Sequence, residues 1–494
     1  MILGDGVTLF LIFFLSFLVF LSAWGSIKKW GKMPPGPTPL PFIGNILQMR
    51  PNNILNSFKK LNMKYGSVYM LYLATEPVLV LNGYDAVKEA LIDNADVFGD
   101  RAMIAGFRKF FGEYGIISSN GERWKHLRRF ALMTMRNFGM GKRSIEERIQ
   151  EEVHFLMEEF RKTRGSPFDP TFYFSRSVSN IICSIVFGNR FDYKDDTFLK
   201  LLKLLSETSK LTDSPLTQLY ANFPLVMQYI PGPHLRLIEN MKLIKEFVKE
   251  RMKMHQESLD PNFPRDFIDC FLIKMEKEKQ NMASEFNEDN LVMSTLNLFF
   301  AGTETTSTTL RYAFLILQKY PEITEKVMQE IDHVIGQDRV PAVEDRSKMP
   351  YTDAVIHEIQ RFADIAPMSV PHAVSQDTEF RGYNIPKGTM VFPMLTTVLK
   401  DPQWFKNPHS FDPGHFLDEH GAFKKNDAFM PFSAGKRICL GEGLARMELF
   451  LFFTIILQNF TLGITKDPKD IDLSSELHSR NRPRPYSLCV HSRQ

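Results

Sequence analysis

Residues Phe432–Gly443 read FSAGKRICLGEG: one cysteine among glycines and two cations, followed at once by the apolar run GLARMELFLFFTIILQNF (443–460). If that run is a helix, its N-terminal amides and dipole favour a thiolate at Cys439 over a thiol. Arg437 is expected to push the same way. Gly435 and Gly441 allow a tight turn and a close backbone approach to something flat, which bulkier residues would block. Against this stands the ordinary fate of a lone cysteine, a small buried hydrophobe. Spacing alone leaves both readings open.

The rest of the chain narrows the field. With 494 residues, 44% of them hydrophobic, it can bury one large core or two moderate ones. A formal charge of +3, with no arginine-rich run, gives no reason to expect nucleic acid. Cys183, Cys270, Cys439 and Cys489 lack both CxxC spacing and the density of a secreted disulfide scaffold. A reducing compartment is therefore expected, and structural zinc is not.

Between Asp5 and Lys28 no charge interrupts GVTLFLIFFLSFLVFLSAWGSI. About 20 apolar residues span a bilayer as a helix, so residues 1–27 are expected to be a transmembrane anchor. Lys28, Lys29 and Lys32 follow the segment, which places the remainder on the cytosolic side. Residues 28–41 form a basic, proline-rich linker, with five prolines between Pro34 and Pro41 holding it stiff and extended. Residues 42–494 are expected to form a single catalytic body, mostly α with small β-sheets. Helical patterns run from about Asp85 to Phe362, and a small sheet region should draw on both SVYMLYL/PVLVLNG and the proline-rich stretch after Ala363.

Two further features sit on helices. From Glu288 to Gln318 an apolar helical pattern is interrupted by AGTETTSTT (301–309), where Gly302 and five threonines have poor helix propensity. Their hydroxyls compete for backbone carbonyls, so the helix is expected to open or bend there. In HEIQRF (357–362), Glu358 and Arg361 are three residues apart, which puts both on one helical face. Surface pairs of that spacing are common and contribute little.

Phe432, Gly435, Arg437, Cys439 and Gly441 match FxxGxRxCxG, the heme-binding signature of the cytochrome P-450 superfamily, and the chain resembles a heme-thiolate monooxygenase of that fold. The texture of PPGP, NFGMGKRSIEER, SRSVSNII, AGTETTSTTLRY and MPYTDAVIHEIQRF is similar to the vertebrate microsomal family two. The resemblance implies that Cys439 is the axial ligand of heme b iron, where a thiolate favours O–O cleavage. It implies that Thr305, after the acidic Glu304, helps route protons during oxygen activation. Glu358 and Arg361 match the family's ExxR, with His415 of FDPGHF standing where many relatives carry arginine. Arg101, Trp124, Arg128, His372 and Arg437 map onto the residues that hold the heme propionates. Trp124 and Arg128 are four apart, a spacing that fits a joint clasp.

The positions that family members use to line the pocket are here Ile104, Phe107, Ile117, Phe300, Ala301, Ala366, Val370 and Leu477. Such a lining favours a lipophilic substrate, a xenobiotic, steroid or fatty acid, held mainly by shape. Residues 210–240 are similar to the family's mobile, partly lipid-facing lid. No GxGxxG or GxxxxGK[ST] motif is present, so NADPH and flavins are expected only on a partner, the NADPH-cytochrome P-450 reductase, with cytochrome b5 as a second donor. Its docking face is expected near Lys125, Arg129, Lys142, Arg143, Lys424, Lys425 and Lys436. The resemblance implies residence in the endoplasmic reticulum membrane. A heme-thiolate isomerase or dehydratase, and a non-catalytic heme or lipid binder, are the competing readings. The cationic face and Thr305 beside Glu304 argue against them.

Overall fold

Val68–Leu73 (β1) and Glu76–Asn82 (β2) are rich in β-branched and large apolar residues, and they pair antiparallel across a two-residue turn. The computed structural model describes residues 33–50, 53–138, 143–476 and 480–493, together with Phe10, Phe13 and Phe14. Apart from those three rings, the expected anchor lies outside the described residues, as does Leu477. Among the described residues no helix is long and apolar enough to cross a membrane.

Contacts divide the chain into two units. The smaller comprises the chain up to Ala102 together with Met368–Met394. Its helix α1 (Ile54–Tyr65) is capped by the Asn53 side chain. Five strands form its main sheet: β1, β2, β3 (Asp100–Arg101), β4 (His372–Ala373) and β7 (Met390–Met394), in the order β1-β2-β7-β4-β3. A hairpin of β5 (Thr378–Phe380) and β6 (Tyr383–Ile385) lies between β4 and β7 in sequence. β2 pairs in parallel with β7, so both β-prone stretches of the sequence do contribute to one sheet. The described part of the linker carries no helix, and the Pro35 carbonyl accepts the Met70 N–H at 2.8 Å.

The larger unit spans Met103–Pro367 and Leu395–Gln494. Its principal helices are α2 (Gly121–Asn137), α3 (Arg143–Lys162), α4 (Thr171–Val186), α5 (Asp196–Thr212), α6 (Pro233–Glu257), α7 (Glu288–Lys319), α8 (Pro321–Val334), α9 (Pro350–Ala363) and α10 (Glu442–Asn459). A short antiparallel pair, β8 (Phe460–Leu462) and β9 (Val490–Ser492), closes the chain.

Helix boundaries follow local chemistry. The Asn287 side chain accepts from the Asn290 N–H at the start of α7, with Glu288 and Asp289 favoured in the first turn by the dipole. Prolines open α6, α8 and α9, where their missing N–H costs nothing. The core of this unit is built on α4, α7 and α10, where the Phe174 and Phe314 rings stack at 5.2 Å and Phe453 packs 6.3 Å from Phe314. α10 is buried nearly all round, as its unbroken apolar sequence requires.

α7 does not open at AGTETTSTT; it runs as one helix from Glu288 to Lys319. The hydroxyls fold back within the helix instead, Thr305 Oγ1 to Ala301 O at 2.8 Å, Ser307 Oγ to Thr303 O at 2.7 Å and Thr309 Oγ1 to Thr305 O at 2.9 Å. Each carbonyl has two lone pairs, so it serves the helical amide and the hydroxyl together. Burial of the flanking turns holds the segment in register.

Candidate active site

The ligand loop is built by two left-handed residues, Ser433 (φ +63°) and Gly435 (φ +69°), that reverse the chain ahead of Cys439. The reversal brings the Cys439 N–H to the Phe432 carbonyl at 3.0 Å. Gly441 has an ordinary φ of −88°, and a methyl there would stand 4.0 Å from the Cys439 sulfur, an ordinary contact, so neither the backbone nor a clash within the chain requires glycine at this position. Of the four cysteines, Cys183 and Cys489 are buried, Cys270 is half-buried and Cys439 is exposed.

Burial nonetheless raises the Cys439 thiol above its ordinary value. The Gly441 and Glu442 amides and the Arg128 charge pull it down, while the Glu442 carboxylate opposes them. The cation felt by the sulfur is Arg128, not Arg437 as the sequence suggested. Arg437 is buried and directed away, donating to Ser119 O at 2.9 Å and Asn120 Oδ1 at 2.8 Å.

Arg128 and Arg437 meet on one ring. The Arg437 guanidinium lies 3.8 Å and that of Arg128 5.8 Å from the Trp124 ring centre. Arg128 Nη2 also donates to Ile438 O at 2.6 Å, tying α2 to the ligand loop. The Trp124 indole N–H is buried and has no hydrogen-bond partner among the described residues. A buried orphan donor costs about 1–3 kcal/mol, and here it lies beside two cations in a set suited to carboxylates. These residues fit an anionic, flat cofactor ligated by the cysteine: heme propionates for the donors, and a metal ion to hold the sulfur ionised.

Arg101 and His372 belong to the smaller unit, where they face each other as a cross-strand pair of β3 and β4. Arg101 Nη1 donates to Val370 O at 2.7 Å, and His372 Nδ1 bonds to Phe98 O at 2.8 Å. Residues 271 positions apart are thus brought together as one pair.

On α7, Ala301 and Thr305 are exposed and Phe300 and Glu304 half-buried, within a helix otherwise largely buried. That accessible stripe marks the open face of α7. The short helix Gly115–Ser118 docks one turn earlier: Asn297 Oδ1 accepts the Ile116 and Ile117 amides, each at 3.0 Å, and Asn290 Oδ1 accepts Gly115 N–H at 3.0 Å. This brings Ile117 to α7. Phe107, on the helix Ala105–Phe111, packs instead with Tyr220, Met227, Leu237 and Met241, the satellite cluster under residues 215–241. The approach is close: a Cβ at Gly106 would meet Tyr220 O at 2.6 Å. Ile104 is half-buried, Ala366 exposed, and Val370 belongs to the smaller unit.

Glu358 and Arg361 are both fully buried on α9. They form a bidentate pair, Nη2 to Oε1 at 2.6 Å and Nε to Oε2 at 2.7 Å. His415 Nδ1 stands 3.1 Å from Glu358 Oε2, so the histidine takes the third place of this network.

Sequence reasoning missed other polar groups. Glu448 of α10 is buried, and burial pushes its carboxyl up to about 8 despite a hydrogen bond from Thr306. A neutral acid thus lies against the residue after Thr305. Asn290 and Asn297 had no signal beyond being polar in an apolar run. Arg482 is buried against Ser209 and Asp213 of the α5 end, within range of the Glu304 charge.

Comparison with known proteins agrees with this geometry. The cytochrome P450 family profile matches residues 34–490. Cytochrome P450 2G1 of Oryctolagus cuniculus is 56% identical over 492 residues, covering 99% of this chain and all of the relative. Cytochrome P450 2C8 of Homo sapiens is 55% identical over 480 residues, 97% of this chain and 98% of the relative. Cytochrome P450 2H1 of Gallus gallus is 56% identical over 469 residues, 95% of each. With the fold 56% helical, its small sheets in place and the cysteine loop shaped as described, the chain belongs to the cytochrome P450 family.

Proposed function

We propose that this protein is a heme-thiolate monooxygenase that inserts one atom of dioxygen into lipophilic small molecules, with electrons from NADPH through a reductase. The observation that carries the reading is Cys439, an accessible sulfur at the N-terminus of α10 beside the Trp124–Arg128–Arg437 donor set. When bound, heme would supply the oxygen activation, with Cys439 as the thiolate that holds its iron. Trp124, Arg128 and Arg437 would hold its propionates by charge-assisted bonds.

Thr305 carries the proton work. Its hydroxyl is exposed on the accessible stripe and donates to Ala301 O at 2.8 Å, which leaves its lone pairs to accept from a water on the open side. Rotation of the hydroxyl then passes a proton towards the reacting oxygen. Glu304 is half-buried next to it, and the apolar flanks exclude bulk water. Phe300, Ala301, Ile104, Phe107, Ile117 and Ala366 offer mostly apolar surface, which selects substrates by shape.

Residues 1–27 anchor the chain in the endoplasmic reticulum membrane, 28–41 act as linker and 42–494 as the catalytic body. Leu225, Val226 and Tyr229 are 79%, 63% and 82% exposed, an apolar patch suited to a lipid surface at the 210–240 lid. Arg129, Lys424, Lys425 and Lys436 are exposed cations for an acidic flavoprotein. The test is turnover of a panel of lipophilic compounds by the full-length chain with reductase and NADPH. Oxygenated product is expected from wild type. Cys439→His is expected to lose both product and the ferrous carbonyl absorption band of thiolate ligation. A histidine variant with an unchanged band overturns the assignment.

A further inference from the structure

A second arginine lies close to the ligand loop and is absent from the signature that identifies it. Arg446 is one helical turn after Glu442 on α10, its side chain 24% exposed. Its Nε and Nη2 reach Glu442 Oε1 at 3.0 and 2.9 Å. Its guanidinium lies 5.3 Å from the Phe432 ring centre and 5.7 Å from that of Phe429. Phe432 is the residue whose carbonyl accepts the Cys439 N–H.

The remaining edge is taken by α9. Arg446 Nη1 stands 3.0 Å from His357 Nε2, and His357 Nδ1 stands 2.7 Å from Asp353 O. A carbonyl can only accept, so Nδ1 carries the hydrogen; a guanidinium can only donate, so Nε2 offers its lone pair. Nδ1 also faces the Asp353 carboxylate, with Oδ1 at 3.2 Å, so each ring nitrogen has a fixed partner. The ring is 5% exposed and boxed by Phe416, Phe423 and Phe429, with ring centres 5.4, 4.6 and 4.7 Å away. Its carboxylate neighbour Asp353 is engaged by Arg346 Nε at 2.8 Å.

We propose that Arg446 is a positioning residue for the Cys439 ligand, locked by His357 from the helix that carries Glu358 and Arg361. It acts in two ways. Through Phe432 it holds the backbone that presents the sulfur. Through Glu442 it offsets a carboxylate three residues from that sulfur, whose negative charge opposes the charge of a thiolate ligand and of the reduced metal centre. His357 ties this contact to the buried polar network of α9, so the folding determinant and the ligand loop share a link.

The inference rests on the heme-thiolate reading, and the test separates the two. Full-length holoprotein is reduced with dithionite, so docking of a protein donor plays no part, and the carbonyl band and the equilibrium reduction potential are recorded. Wild type is expected to show the thiolate band; its absence there overturns the Cys439 reading itself. Arg446→Met is expected to give a several-fold larger fraction without the band and a more negative potential. Adding Glu442→Gln to it should return the potential to the wild-type value without restoring the thermal midpoint. His357→Phe, which keeps the aromatic box but removes the acceptor, should reproduce the loss of band in part. A wild-type potential and band in Arg446→Met overturn the proposal. Where that variant yields no holoprotein, Glu442→Gln alone decides: a positive shift supports the proposal, an unchanged potential overturns it.

Discussion

Two polar regions of the larger unit, both set in apolar surroundings, treat their hydrogen bonds in opposite ways. At Glu358–Arg361 every donor of the guanidinium is used: two bonds to Glu358, and one each to the Leu399, Pro408 and Ser410 carbonyls. Glu358 also receives the Asp412 amide at 2.9 Å and faces His415. On the open side of α7 and around Trp124 the pattern reverses. Thr305 is exposed, and the Trp124 indole N–H lacks a partner among the described residues. A polar network closed upon itself fixes a fold, because breaking it leaves buried groups uncompensated. Polar groups left open beside it have free energy still to gain from a cofactor, a water or a substrate.

The contrast breaks most severely at Glu358→Ala. Arg361 would be left as a fully buried charge without its carboxylate. Removing one partner of such a pair costs about 3–5 kcal/mol, a large share of the roughly 5–15 kcal/mol that holds a typical domain together. The expected outcome is little or no recoverable holoprotein, read by expression yield and heme content. A variant that folds with a wild-type melting midpoint would place the network outside the folding core.

Thr305→Ala probes the open side, and its signature differs in kind. Loss of a half-used hydroxyl should leave the melting midpoint and substrate binding nearly unchanged. Coupling should fall instead, with NADPH consumed to make hydrogen peroxide rather than product. Loss of acid assistance costs typically about 10²–10⁴ in rate, softened here because water can enter the space left by the methyl and hydroxyl. Peroxide, product and NADPH measured together on one turned-over compound check it, and unchanged coupling removes Thr305 from proton delivery.

What the sequence disclosed tracks the range of each interaction. The cysteine loop, the Glu358–Arg361 spacing and the Trp124–Arg128 spacing are local patterns, so they are readable by resemblance to the family's motifs, although spacing alone left the role of Cys439 open. Both β-prone stretches could be assigned to a sheet, but the parallel β2–β7 register depends on partners some 300 residues apart. The opening expected at AGTETTSTT is absent and the helix runs unbroken from Glu288 to Lys319, because propensity reads each threonine against a free helix whereas packing on both sides holds this one. Arg437 was read as the cation beside the sulfur from its nearness in sequence, while Arg128, 311 positions from Cys439, reaches it in space. Asn297, Glu448 and the Arg446–His357 contact likewise have no local signature. Their meaning lies wholly in which helix is packed opposite.

The smallest expected effect concerns the edge of the closed network, at His415. Its side chain is 5% exposed, and both ring nitrogens face acceptors, Nδ1 the Glu358 carboxylate and Nε2 the Lys406 carbonyl. Burial alone would lower its pKa; the bonds to Glu358 and Lys406 outweigh it and raise the pKa above the ordinary value. Only the doubly protonated ring can donate to both partners, so the folded state favours the imidazolium. The contribution is fully present below the unfolded histidine value, near 6.5, and is lost as pH rises through the raised folded value. Wild type should therefore lose roughly 1 kcal/mol on that alkaline limb, the scale of one hydrogen bond. His415→Gln, which does not titrate, should start lower and show a flatter curve over the same window. His415→Arg, charged throughout, should retain stability at alkaline pH where wild type declines. Urea midpoints for the three proteins from acid to mildly alkaline pH decide the point. Parallel curves for wild type and His415→Gln would mean that the histidine is neutral in the fold, and that the network closes on Glu358 and Arg361 alone.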